Sequence, residues 1–242
     1  MTEIALQRLP GKIAIVTGGS SGIHGAKVVS IDLNEPVEPE VPYPNQGVSF
    51  VKGSVTDALV WSSAIEEAKS LGGVANVLVQ CAGTPGREGL LDTTVEKWNH
   101  VMNVNCTSIM YGMQVFIKEL IEAKQPGSIV NVSSLAGVVT MGGGFAYEAS
   151  KAACGHMCKT VALDFAKDGI RANCVAPGLT ITGMTRNSSR PASSKQYMLD
   201  RTPLARWGTA EETAYSILYL SSDEAAYVTG QTICHDGGYS AA

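Results

Sequence analysis

The chain has 242 residues, of which 45% are hydrophobic and 17% charged, enough apolar material for one large core. Its net charge of −4 gives no electrostatic basis for binding nucleic acid or an anionic membrane. No apolar run approaches the roughly 18 residues that cross a bilayer, and the N-terminus lacks a basic segment followed by an apolar one. We therefore expect a cytoplasmic protein that binds neither nucleic acid nor a membrane.

Short apolar runs alternate with helical patterns along the whole chain. Strands are predicted over 12–19, 27–32, 48–53, 76–83, 128–134, 170–178 and 231–238. Helices are predicted over 57–71, 93–124, 147–168 and 209–221. Most of the strand runs are β-branched and continuously apolar, which is typical of parallel strands buried on both faces. The sequence therefore predicts one α/β domain over 1–242, a doubly wound, Rossmann-like parallel sheet.

The first crossover of this sheet is unusually short. TGGSSGI (17–23) is a glycine-rich turn of the phosphate-binding kind, yet nine residues separate Thr17 from the next strand at Lys27. A crossover with its helix needs at least about 10–12 residues, so we expect the first crossover helix to be truncated or absent. Apolar surface of the first strands would then lack cover. The following connection, 33–47, carries four prolines, which exclude a helix there.

The six cysteines form no C-x-x-C pair, and Cys154 and Cys158 have no partnering pair of histidines. These spacings predict no metal site. Small buried apolar side chains in a reducing compartment are the expected role of the thiols.

Tyr147 and Lys151 stand four residues apart in FAYEASK, so their side chains share one face of the predicted helix. An ammonium beside a phenol favours the phenolate, which suits the pair to proton transfer. The Y-x-x-x-K pattern also arises by chance, and a surface pair is the alternative interpretation.

Three further motifs lie at predicted strand ends or in a helix. Ser134 follows the strand SIVNVSS, and Pro177 and Gly178 follow another, at the edge where open α/β sheets bind ligands. Asn105 falls inside a predicted helix, where an asparagine is disfavoured unless its amide has a specific partner. A strand-end cap for Ser134 and a helix-kinking amide for Asn105 are the alternatives.

In combination and order, these motifs resemble those of the short-chain dehydrogenase/reductase family. TGGSSGI resembles the family's T-G-x-x-x-G-I-G cofactor turn without its last glycine, and QCAG (80–83) stands where the family has N-N-A-G. The segment 206–238 resembles the family's last helix and strand, and the resemblance covers 10–242. It implies an NAD(P)-dependent oxidoreductase that moves a hydride between a nicotinamide cofactor and a secondary alcohol or ketone.

The same resemblance implies a role for each catalytic position. Tyr147 would be the acid/base on the substrate oxygen, and Ser134 would donate a hydrogen bond to that oxygen. Lys151 would stabilise the phenolate and hold the nicotinamide ribose. Asn105 would hold a water that links Lys151 to solvent.

The implied cofactor site runs along the strand ends. It comprises Gly18, Ser21, Gly22, Ile23, Asp32, Val55, Ala82, Gly83, Asn105, Tyr147, Lys151, Pro177, Gly178 and Thr182. An acid at Asp32 accepts hydrogen bonds from the adenosine 2′-hydroxyl and repels a 2′-phosphate, so NAD is expected and NADP is the alternative. A solvated strand-end acid is the other interpretation of Asp32. Ser54 stands where the family commonly has an acid that binds adenine, which leaves the backbone beside Val55 for that contact.

Residues 179–208 correspond to the family's variable substrate lid. Five basic side chains in this segment indicate either a solvated lid, which we favour, or a site for an acidic substrate. Met141, Met184 and Met198 are expected to line an adaptable apolar pocket, and the glycines at 142–144 to remove bulk beside Tyr147.

Two functions follow from the sequence. The first is the oxidoreductase, acting on a small-molecule alcohol or ketone as a homodimer or homotetramer built on 99–124 and 147–168. The second is a catalytically impaired dehydrogenase-like protein, its cofactor site damaged by the missing helix, that acts as a binding or scaffold partner.

Overall fold

A parallel β-sheet forms the centre of the protein, whose computed structural model describes residues 8–18, 26–35, 48–186 and 192–242. Seven strands of these residues pair in the order β3-β2-β1-β4-β5-β6-β9. The strands are β1 Ile13–Thr17, β2 Lys27–Asp32, β3 Val48–Lys52, β4 Val77–Gln80, β5 Gly127–Val132, β6 Ile170–Pro177 and β9 Thr232–His235. Chain order reverses between β1 and β4, which confirms the predicted doubly wound α/β sheet.

Helices join these strands and cover the sheet. They are α1 Ala58–Ser70, α2 Val95–Met102, α3 Ser108–Ala123, α4 Phe145–Phe165, α5 Gly183–Arg186, α6 Ala192–Asp200 and α7 Ala210–Ser221. Where one helix was predicted over 93–124, a π-helical turn at Asn103–Thr107 joins α2 to α3. A small parallel pair, β7 Thr180–Ile181 and β8 Gly208–Thr209, brackets α5 and α6. None of these helices is long and apolar enough to cross a membrane.

Apolar side chains fill both sides of the sheet. On one side, Trp61 of α1 and Phe116 of α3 belong to a cluster with Ile15, Leu78 and Ile129, all at most 1% exposed. On the other side, α7 contributes to a second cluster that contains residues of β1, β2, β4, β5 and β6. Burial on both sides explains why the strands read as continuous apolar runs.

The nine-residue link between β1 and β2 nevertheless joins two parallel neighbours, with Ile13 opposite Lys27. Of this link the structure describes 18 and 26, and the predicted helix truncation falls on 19–25, outside the described residues. Apolar side chains of these two strands are buried: Ala14, Val16 and Val28 are at most 3% exposed and belong to the cluster to which α7 also contributes.

A reciprocal cap starts α7. Thr209 Oγ1 accepts a hydrogen bond from Glu212 N at 3.1 Å, and Glu212 Oε2 accepts one from Thr209 N at 2.8 Å. Arg206 donates to both carboxylate oxygens of Glu212, at 2.6 and 3.0 Å. Arg206 is the main cause that lowers the pKa of Glu212 to about 2, and the backbone of Thr209 adds to it.

We predict that Glu212→Gln lowers the melting temperature modestly at neutral pH. The pKa of Glu212 is lowered in the folded chain, so its carboxylate stabilises the fold fully above about pH 4.5 and loses this effect as the pH falls to about 2. The difference in melting temperature between variant and parent, followed by circular dichroism, should shrink over that interval. Glu211→Gln is the control, since Glu211 is in the same first turn but outside the cap. A difference independent of pH would contradict the prediction.

Candidate active site

The carboxyl ends of β1 and β4 meet at the point where strand order reverses. Gly18, which follows β1, has φ of +65°, and a Cβ there would lie 2.9 Å from the backbone nitrogen of Ala82. Ala82 N in turn donates to Thr17 Oγ1 at 3.1 Å. Glycine is therefore required at 18 both by conformation and by space. The structure brings predicted cofactor positions 18 and 82 together.

Asp32 ends β2 one strand away from this point. Gly18 N donates to Ile31 O at 2.9 Å, which ties the turn after β1 to the end of β2. The carboxylate of Asp32 accepts a hydrogen bond from Asn34 N at 3.3 Å and is half-buried. An acid thus stands at the edge where the sequence predicted one. Three other predicted cofactor residues, Ser21, Gly22 and Ile23, lie outside the described residues.

Val55 lies after β3 and takes part in the turn that leads into α1. Its carbonyl accepts a hydrogen bond from Trp61 Nε1 at 2.8 Å, and its side chain is 7% exposed. Ser54 Oγ lies 2.8 Å from Thr56 Oγ1. The carbonyl of Val55 is therefore committed to the fold, and a cofactor contact at this position would use the amide.

The π-helical turn holds Asn105 at 0% exposure. Its Oδ1 accepts a hydrogen bond from Thr84 N at 2.8 Å, and its Nδ2 donates to Thr84 O at 3.0 Å and to Ser150 Oγ at 2.9 Å. The side-chain amide that the sequence predicted to need a partner thus makes three hydrogen bonds, to two residues. Because these bonds occupy the side chain, a water at this site would bind the main-chain carbonyl, which also accepts from Cys154 Sγ at 3.4 Å.

Lys151 lies on the same face of α4 as Tyr147, one turn later. Its Nζ donates to Val132 O at 2.9 Å and lies 5.8 Å from the centroid of the Tyr147 ring. The lysine is 5% exposed, which excludes the surface pair considered for this motif. Gly83 closes the site from the loop after β4, where an added Cβ would lie 3.3 Å from both Lys151 Nζ and Asn105 Oδ1.

The two adjacent serines after β5 make different contacts. Ser134 caps a short turn, because its Oγ accepts from Ala136 N at 3.2 Å, and it also lines the cavity beside Tyr147. Ser133 is buried, and its Oγ donates to Lys151 O at 2.5 Å. Sequence reasoning missed Ser133, since a serine three positions after Val130 in a strand run carries no signal for a bond to a helix eighteen residues away.

Pro177 is the last residue of β6, Gly178 follows it, and both line the same cavity. Gly178 N donates to His235 O at 3.0 Å, and a Cβ on Gly178 would lie 2.8 Å from Asp236 Cα. Thr182 lies beyond β7, where its Oγ1 is 3.2 Å from Thr185 Oγ1. Thr185, rather than Thr182, is among the cavity residues.

The cavity encloses about 170 Å³ next to Ser134 and Tyr147. Its walls include the three methionines that the sequence pointed to, and also polar and aromatic side chains that it did not. The lining includes Met141, Met184, Met198, Leu135, Leu179, Trp207, Arg87, Glu148 and Lys195. Gly144 lines it as well, but Gly142 and Gly143 have φ of +75° and +73° and open space around them. Those two glycines serve the backbone turn into α4, not the removal of bulk.

Three thiols whose pKa values are raised lie near Lys151. Burial raises the pKa of Cys81 to about 12 and that of Cys154 to about 12, although the charge of Lys151 acts against the rise in both. Burial likewise raises the pKa of Cys106. These thiols are protonated at neutral pH. Within the described parts of the chain, no group of three or more His, Cys, Asp or Glu is arranged to hold a metal ion.

Comparison with known proteins gives concordant matches over nearly the whole chain. The family model described as enoyl-(acyl carrier protein) reductase matches residues 17–240. A 2,5-dichloro-2,5-cyclohexadiene-1,4-diol dehydrogenase of Sphingobium indicum is 36% identical over 96% of this chain and 98% of its own. A 3-oxoacyl-(acyl-carrier-protein) reductase of Thermotoga maritima is 37% identical with the same coverage. The crystal structure of a gluconate 5-dehydrogenase from Burkholderia cenocepacia in complex with NADP and tartrate has a TM-score of 0.88 at 27% identity, covering 100% of both chains.

Gly137→Ala tests the packing that holds Lys151. A Cβ on Gly137 would lie 2.5 Å from Lys151 C and 2.7 Å from Ser133 Oγ, so backbone must shift. We predict a loss of about 1–3 kcal/mol in the free energy of unfolding, measured by urea denaturation. Gly89→Ala is the matched control, because an added Cβ there meets nothing within 4 Å. Equal stability of the two variants would contradict the prediction.

Proposed function

The chain belongs to the short-chain dehydrogenase/reductase family and is an NAD(P)-dependent oxidoreductase, and we propose that its substrate is a secondary alcohol or the corresponding ketone. One observation carries this proposal. Ser134 and Tyr147 line a single cavity, and the buried ammonium of Lys151 lies one helical turn behind the tyrosine. A hydrogen-bond donor, a phenol and a cation are the groups that a carbonyl oxygen requires as it becomes an alkoxide.

The proton transfer is assigned to Tyr147. In reduction its hydroxyl gives a proton to the carbonyl oxygen, and in oxidation the phenolate takes the proton of the alcohol. Ser134 donates a hydrogen bond to the same oxygen, where negative charge develops in the transition state. Lys151 stabilises the phenolate electrostatically, because its ammonium lies 5.8 Å from the ring centroid inside the protein. The proton that Tyr147 gives up is replaced from solvent through Lys151 and a water bound to the main-chain carbonyl of Asn105.

The nicotinamide cofactor supplies the hydride acceptor or donor when bound. The strand ends suit it: glycines close the turns at Gly18, Gly83 and Gly178, and the ammonium of Lys151 has further N–H donors for ribose hydroxyls. Asp32 at the end of β2 is the group proposed to accept the adenosine 2′-hydroxyl, which favours NAD over NADP. The other proposed contacts are at Val55, Ala82, Pro177 and Thr182.

The segment 179–208 is proposed as the substrate lid. Its helices α5 and α6 supply Met184, Thr185, Lys195 and Met198 to the cavity wall. Methionine side chains adapt to ligands of different shape, so an apolar body on the alcohol or ketone fits this wall. Apart from Lys195 at the cavity wall, the basic residues of the lid are proposed to remain solvated.

We propose a homodimer or homotetramer whose contact uses the outer faces of α3 and α4. An apolar groove between these helices is lined by Met113, Ile117, Met157 and Val161, and Ile121 at its rim is 45% exposed. Apolar surface of this kind marks interaction sites.

The catalytically impaired scaffold is not favoured, since the relatives that match this chain end to end are dehydrogenases and reductases.

Tyr147→Phe should remove turnover while leaving cofactor binding intact. The variant lacks only the hydroxyl, so we expect kcat to fall by about a hundredfold to ten-thousandfold on a panel of secondary alcohols and ketones, followed by NADH absorbance. NADH affinity, measured by nicotinamide fluorescence, should stay within about twofold of the parent value.

Tyr227→Phe is the matched control, because this tyrosine is fully exposed and is not among the residues that line the cavity. Turnover by Tyr147→Phe at the parent rate would refute the assignment of the acid/base. A folded parent protein that binds neither NADH nor NADPH would refute the oxidoreductase itself and favour the scaffold.

Asp32→Ala should relax cofactor choice towards NADPH. The substitution removes a charged hydrogen-bond acceptor and its repulsion of the 2′-phosphate, so we expect the ratio of NADH to NADPH affinity to fall about tenfold. Titration of each cofactor by fluorescence measures the ratio. Glu35→Ala is the control, because Glu35 is a nearby acid that pairs with Lys52 instead. An unchanged ratio in Asp32→Ala would refute the role of Asp32.

A further inference from the structure

One buried serine ties the catalytic turn of α4 to the π-helical turn. Ser150 is 0% exposed and lies between Tyr147 and Lys151 in sequence. Its Oγ accepts a hydrogen bond from Asn105 Nδ2 at 2.9 Å and donates one to Tyr147 O at 2.7 Å. Its own carbonyl accepts from Cys106 Sγ at 3.4 Å. The side chain of Ser150 is thus bonded both to the π-helical turn and to the turn that carries the tyrosine, and its carbonyl is bonded to the π-helical turn as well.

The direction of every bond in this chain is determined. Thr84 N can only donate, so Asn105 must present Oδ1 to it, at 2.8 Å, and Nδ2 to Ser150. A hydroxyl has one proton, and Ser150 gives it to the carbonyl of Tyr147. The loop after β4, the π-helical turn and the first turns of α4 are therefore joined by two buried side chains with no alternative arrangement of their hydrogens.

We propose that Ser150 is a positioning residue for proton transfer, which acts by holding the Tyr147 turn in register with Lys151. This inference rests on the proposed function of Tyr147. The phenolate gains from the ammonium only while the ring stays near it, at the 5.8 Å now observed between Nζ and the ring centroid. Without the Ser150 hydroxyl, the carbonyl of Tyr147 and the amide of Asn105 each lose a hydrogen bond, and the first turn of α4, which carries the ring, is held less firmly against the π-helical turn.

Other titratable and charged groups lie near this turn. They are Arg87, Glu148 and Lys195 at the cavity wall and the thiols of Cys81, Cys106, Cys154 and Cys174. Burial raises the pKa of Cys81, Cys106 and Cys154, whereas a hydrogen bond with Cys158 lowers the pKa of Cys174. Replacement of Ser150 leaves each of these groups in the chain, so a change in the pH profile reports on the distance between the Lys151 ammonium and the Tyr147 ring.

The test is Ser150→Ala, with kcat for alcohol oxidation measured against pH. We expect kcat to fall about tenfold, the KM for NAD to stay within about twofold, and the acidic limb of the profile to move to higher pH. The sign follows from the base form: a phenolate that is less stabilised by the ammonium needs a higher pH to appear. A merely structural loss of stability would lower the melting temperature without moving the limb.

A second readout needs no substrate. Ultraviolet titration of tyrosinate in the parent, minus that in Tyr147→Phe, isolates the ionisation of Tyr147, and the same difference in the Ser150→Ala background should move to higher pH. Ser108→Ala is the matched control, because Ser108 is a buried serine next to the π-helical turn that donates to Val104 O and has no bond to α4. Ser150→Cys keeps a weak donor and should give an intermediate shift; it replaces the alanine variant if that variant does not fold.

The outcomes separate this inference from the function on which it rests. A parent protein without turnover on any alcohol or ketone refutes the proposed function, and the tyrosinate titration then decides the role of Ser150 alone. A folded Ser150→Ala variant with the parent pH profile and titration overturns the inference. So does an equal shift in Ser108→Ala, which would show that any buried serine near this turn has the same effect.

Discussion

The site depends on one positive charge held inside the protein. Lys151 is 5% exposed, and burial of a charge costs several kcal/mol unless polar groups replace the lost water. The carbonyl of Val132 supplies such a group at 2.9 Å, and Ser133 fixes the backbone of the lysine itself. The end of β5 therefore holds the charge, and this is the charge proposed to stabilise the phenolate of Tyr147. Under the proposed function, one interaction thus serves both the fold and the chemistry.

The parts of the structure that follow from local sequence rules were predictable. Buried parallel strands read as continuous apolar runs, so β1 and β5 appear within two residues of their predicted ends. The spacing of Tyr147 and Lys151 on one helical face follows from helix geometry alone. Ser134 and Gly178 were identifiable because they follow strands at the ligand-binding edge. Each of these features is set by residues that are close in sequence or at the end of a neighbouring strand.

Other parts depend on contacts that no local pattern announces. The π-helical turn is held by Asn105 bonds to Thr84 and Ser150, which are 21 and 45 residues away in the chain. The helices α5 and α6 are short and polar, so no apolar period marks them in the sequence. The burial of the β1 and β2 side chains despite their short link depends on the cluster that they form with side chains of β4, β5 and β6. Such features arise only once the tertiary structure is formed.

The raised pKa values around Lys151 have a practical consequence for chemical labelling. Thiol reagents react with the thiolate, and Cys81 and Cys154, with pKa values of about 12, present almost none at neutral pH. Maleimide dyes or spin labels aimed at a cysteine introduced on α6 should therefore react there much faster than at Cys81 or Cys154 beside Lys151. Probes can thus be attached to the segment that covers the cavity while these two thiols stay in place.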